Sequence, residues 1–134
     1  MSHQMVTTAV TYVLGATTDV FTHAHIALTA ACTGVITLGV AIWRFQGKRL
    51  WLDSLTVTVL VAGAVYLWRA AANMPQLNND GLPGYSANDW LAPAIVFITL
   101  SVYADLFPPT DQRRFAQVRA AATIAAFAIN VITI

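Results

Sequence analysis

Charge is what this chain has least of: Lys and Arg number 7, Asp and Glu 6, in 134 residues that are 57% hydrophobic. A soluble domain carries ~25% charged residues to keep its surface in water. An aqueous globular fold is therefore excluded, and the same apolar excess excludes a disordered chain. Glutamate is absent, lysine occurs once, at Lys48, and the net charge is +1. With no basic stripe to follow a phosphate backbone, nucleic acid is not expected as a partner. The single cysteine, Cys32, lies in an apolar run; it allows no intramolecular disulfide and no cysteine-rich metal site, and reads as an inert buried thiol. The first basic residue is Arg44, so the charged start of a secretory signal is missing and the N-terminus is expected to be retained. Phosphate loop, HExxH zinc helix and nucleophile elbow are all missing. Histidine is confined to positions 3, 23 and 25, and the aspartates fall mainly at expected helix ends. No acid and base can be paired from these residues in a water-accessible cleft, so the chain is not expected to be an enzyme.

What is there is apolar length. A hydrocarbon layer ~30 Å thick takes ~20 helical residues to cross, and four segments, about 25–44, 50–72, 90–107 and 112–134, have that length. The expected fold is an all-α integral membrane protein, a bundle of four transmembrane helices in one domain spanning 1–134. Asp53 and Arg69, near opposite ends of the second segment, are expected to snorkel to their own interfaces. Pro108 and Pro109 close the third segment, Asp111 caps the fourth, and Ser86 or Asp89 caps the third. Segment 1–24 is an outer amphipathic segment. Val6, Ala9, Val10, Val13 and Leu14 share one helical face there, which suits a helix lying in the interface; a short fifth span over 4–18 is the rival reading.

Orientation follows from the basic residues. Arg44, Lys48 and Arg49 fall in the first link, and Arg113, Arg114 and Arg119 at the mouth of the fourth helix, which makes those links cytoplasmic. The C-terminus then lies outside, as does the N-terminus unless 4–18 spans. Trp43, Phe45, Trp51, Tyr103, Phe107 and Phe115 form one aromatic belt and Tyr66, Trp68 and Trp90 the other. Together with Asp53 and Asp105, the six basic residues form a cytoplasmic charge cluster. It is read as topology and local ion pairing or as a dock for anionic headgroups or a partner.

Three features bear on function. His23 and His25 could ligate haem; residues two apart on a helix diverge by ~200°, so each would serve alone, with Tyr66, Trp68 and Trp90 as an aromatic wall. His25, Thr29, Thr33 and Thr37 form a polar row that winds by ~120°. It either lines a path for ions or solutes or consists of hydroxyls bonded back to their own helix. Small residues recur four apart at Ala27 and Ala31, Ala30 and Gly34, Ala116 and Ala120, and Ala121 and Ala125, with Gly63 between alanines. That is the pattern by which spans approach closely. The leading expectation is a non-enzymatic membrane subunit that packs into a larger complex or a homo-oligomer. A Thr-lined channel, transporter or membrane-permeabilising protein, and a haem-bearing electron-transfer subunit using His23 or His25, are the alternatives.

Overall fold

The computed structural model describes residues 21–73 and 87–133. The expectations placed on segment 4–18, on His3 and on Ser86 lie outside them. Four helices are present: α1 His23–Arg44, α2 Leu50–Ala71, α3 Ala87–Leu106 and α4 Gln112–Ile132. All four are long and apolar enough to cross a membrane, and no strand occurs among the described residues. At ~1.5 Å per residue the 22 residues of α1 extend ~33 Å.

Each boundary has a local cause. Thr22 caps α1 by accepting the His25 amide at 3.2 Å. The link 45–49 turns at Gly47, whose φ of 99° is open to glycine and costly for other residues. Pro108 and Pro109 stop the chain beyond α3, and Asp111 caps α4 by accepting the Arg114 amide at 3.0 Å. The third helix begins earlier than the sequence suggests. Its first turn contains Asp89, which therefore sits inside the helix and does not cap it. Pro93 lies within α3 and has no amide to give the carbonyl of residue 89.

The Asp111 cap makes a pH-dependent contribution. The Arg114 amide, and then the Arg114 charge, hold the Asp111 carboxyl below its ordinary range. A depressed folded-state pKa stabilises above the unfolded value, and that stabilisation disappears as pH falls through the folded one. Asp111→Ala is accordingly expected to melt below the parent at neutral pH, with the gap closing on acidification through the carboxylate range. Thermal melts at stepped pH check this.

The five-residue links 45–49 and 107–111 force α1 against α2 and α3 against α4 as antiparallel hairpins. Contacts run α1 to α2, α2 to α3, α3 to α4 and α4 back to α1, an up-down ring around one seam. That seam is narrow because the inward residues are small. It holds Thr29, Ala30, Thr33, Gly34, Thr37 and Ala41 from α1 and Val57, Val61 and Val65 from α2. Val96 and Leu100 of α3 meet Val118, Ala122 and Ala126 of α4. At Gly34 the helices α1 and α2 approach closely: a Cβ there would lie 3.3 Å from the Ala62 Cβ.

Polarity is turned inside out. The buried residues include Thr29, Thr33, Thr37, Ser54, Arg69 and Asn130, while Leu28, Val35, Leu67, Ile124 and Ile132 stand exposed. Soluble proteins scatter exposed apolar residues singly; here they cover the lengths of the helices.

Candidate functional site

At the end of the bundle where α1 begins, the seam becomes polar. Arg69 follows Val57, Val61 and Val65 at four-residue intervals, so the stripe that faces the core carries its stem inward. The side chain is 1% exposed. Snorkelling to an interface, the sequence expectation, is thus corrected: the rotation of α2, set by its valines, leaves the guanidinium no lateral way out.

Arg69 is held from several helices. Its Nη1 donates to the Asn130 Oδ1 of α4, and the Asn130 Nδ2 donates to the Ala126 carbonyl. Asp89 of α3, also buried, acts on it electrostatically. The Phe21 ring lies over the guanidinium, its centroid 5.0 Å from Cζ. Phe21 is itself clasped by Asn73: its amide donates to the Asn73 Oδ1, and its carbonyl accepts from the Asn73 Nδ2, both at 2.8 Å. Arg69 Nε and Nη2 are buried and have no hydrogen-bond partner among the described residues.

The two histidines take separate directions. His23 Nδ1 lies 3.2 Å from the Tyr66 hydroxyl. His25 stacks on Phe21 at 5.1 Å, and its Nε2 is buried without a partner among the described residues. Trp68 lines the α2–α3 groove, and Trp90 packs on Phe127 at 5.0 Å. No group of three His, Cys, Asp or Glu able to hold a metal ion occurs among the described residues.

The threonine row is buried along α1, beneath a half-buried His25. Thr29 donates to the His25 carbonyl at 3.0 Å, Thr33 to that of Thr29 at 2.9 Å and Thr37 to that of Thr33 at 2.8 Å. Each hydroxyl proton is therefore taken up within its own helix. Thr29 also meets Thr133 of α4 at 3.2 Å.

At the opposite end, the antiparallel hairpins bring the links 45–49 and 107–111 together. Arg44 donates to the Gln117 side chain, and Arg114 donates to the Arg44 carbonyl at 3.0 Å while its Nε lies 3.1 Å from Asp111. Arg49 and Asp53 are 4.0 Å apart with both side chains exposed; pairs of this kind contribute ~0–1 kcal/mol. Arg119 reaches across to α3, donating to the Ser101 hydroxyl at 3.1 Å with its Cζ 4.6 Å from the Phe97 centroid. Lys48, Asp105 and Arg113 are exposed. A cavity of about 560 Å³ opens between the links against Phe45, Tyr103, Phe107 and Phe115.

The small residues divide by face. Gly34 and Ala125 are buried, Ala116 and Ala121 half-buried, and Ala27, Ala31 and Ala120 exposed. Gly63 is half-buried and lines an apolar groove of about 460 Å³ between α2 and α3 together with Leu60, Leu67, Trp68 and Ile95. A Cβ at Gly63 would meet nothing within 4 Å.

No known family matches this chain, and neither a curated protein nor a solved structure proved similar to it. The site therefore has to be read from its own residues. Arg69 and Asn130 are the functional candidates that the sequence reading missed. The signal for Arg69 was the four-residue spacing from Val57; Asn130 offered only its place four residues after the buried Ala126.

Proposed function

We propose that this chain is a non-enzymatic, multi-pass integral membrane subunit whose role is assembly, packing against a membrane-spanning helix of another chain. The inside-out polarity supports the bilayer as its solvent: apolar side chains outside and hydroxyl, amide and guanidinium groups inside reverse the arrangement that water imposes. The convergence of Arg44, Lys48, Arg49, Arg113 and Arg114 at one end supports a cytoplasmic setting for the links.

The observation that carries assembly is the α2–α3 groove at Gly63. Lipid gives helices no hydrophobic drive to associate, so association relies on close backbone approach at small residues. Gly34 performs that function inside the bundle, against Ala62. Gly63 has the same open backbone, and a Cβ there would meet nothing within 4 Å among the described residues, between side chains that line an apolar groove.

Gly63→Leu places its side chain in the groove from a Cβ position with nothing within 4 Å among the described residues. It is expected to reduce the particle to a single chain in mild detergent while leaving the unfolding transition within about 1 kcal/mol of the parent, glycine replacement in a helix being worth ~1 kcal/mol in its favour. Mass measurement of the protein–detergent particle, with crosslinking in native membranes, decides the matter. A parent protein that is a lone monomer in both settings, or a Gly63→Leu variant that keeps its partners, overturns the reading.

A further inference from the structure

The unused edge of Arg69 points to a ligand. A guanidinium presents its donors on distinct edges, and Nε–H and Nη2–H share the one that forks around two oxygens of a carboxylate or phosphate. In this protein Nη1, the remaining nitrogen, is engaged by Asn130, while Nε and Nη2 are both buried and unpartnered among the described residues. The fork is intact, and the residue that carries it is 1% exposed. Leaving charged donors buried and unbonded costs more than ~1–3 kcal/mol, and burial of a charged side chain between helices is a mark of function.

The surroundings hold that fork in place. Asn130 fixes one nitrogen, and the Phe21 ring lies over the guanidinium plane, clasped by Asn73. Phe21 also stacks on His25, whose Nε2 is a further buried nitrogen without a partner among the described residues. Asp89 lowers the net positive charge, but it stands in the first turn of α3, where the helix N-terminus already favours a negative group. It influences Arg69 through space and does not occupy the fork.

We propose that the Arg69 fork is a binding site for an oxyanion, a carboxylate or phosphate group, held at the α1-start end of the bundle beneath Phe21. The site is separate from the α2–α3 groove and does not depend on the assembly reading. Two sources supply the same chemistry, a small soluble oxyanion and the phosphate of a lipid headgroup.

The test follows the Arg69 Nε–H resonance of the full chain by NMR in a maltoside detergent, which contains no phosphate. Inorganic phosphate, acetate and phosphatidylglycerol are titrated separately. A saturable shift with phosphate or acetate supports the site and makes its ligand soluble; a shift confined to phosphatidylglycerol supports the site and makes its ligand a headgroup. In Arg69→Lys, a point charge replaces the fork, and binding followed through Trp68 and Trp90 fluorescence is expected to weaken by at least about tenfold, with the helical circular dichroism unchanged. No saturable shift with any of the three probes overturns the proposal, as does equal affinity in a folded Arg69→Lys protein. If Arg69→Lys does not fold, the parent resonance decides alone.

Discussion

Gly34→Leu is expected to separate α1 from α2 and to destabilise the bundle by ~1–3 kcal/mol, the usual cost of overpacking, or more. A Cβ alone would stand 3.3 Å from the Ala62 Cβ and 3.7 Å from the Thr58 Cγ2. The first of these contacts belongs to a helix-borne methyl that moves only with the backbone. Gly34→Ala is therefore near neutral, its ~1 kcal/mol of helix propensity offset by a displacement of a few tenths of an ångström, whereas leucine has no space at all. Equilibrium unfolding in mixed micelles measures both. Ala62→Gly should recover part of the loss in the double variant, because sites in contact are not additive. Identical behaviour of Gly34→Leu and Gly63→Leu would contradict the assigned faces of α1 and α2.

The second large effect belongs to Asn130. Asn130→Leu removes the acceptor from Arg69 Nη1 and leaves a buried cation with a third unbonded nitrogen. A hydrogen bond to a charged group is worth ~1.5–3 kcal/mol, and a loss in that range is expected in the same unfolding assay. Removing both partners is cheaper than removing one, so Arg69→Met in the Asn130→Leu background should restore part of the stability. Restoration is incomplete because buried Asp89 then loses the positive charge that acts on it. Strict additivity of the two substitutions would show that the Arg69–Asn130 contact contributes nothing.

These expectations separate what was legible in the residues from what was not. The four helices were, because length against a layer of given thickness is a one-dimensional property, and each observed boundary falls within a few residues of the apolar limits. The α4 cap at Asp111 was legible for the same local reason, the Pro-Pro-Thr-Asp run leaving little alternative. The threonines were legible as a row but not in their environment. Their spacing states only that Thr29, Thr33 and Thr37 lie near one another on α1, and burial of that face came from its contacts with α2 and α4. Ala27 and Ala31 share a small-residue spacing with Ala30 and Gly34, yet the first pair is exposed and the second buried.

Length, composition and order along the chain determined the class of this protein: four apolar segments of spanning length, with the basic residues gathered at the links after the first and third. The tertiary structure decided direction. Which face of α2 turns inward depends on the rotation of that helix about its axis, set by burying Val57, Val61 and Val65 in the shared core. That rotation buried Arg69 beside Asn130 when the sequence suggested an interface, closed Gly34 against Ala62, and left Gly63 open.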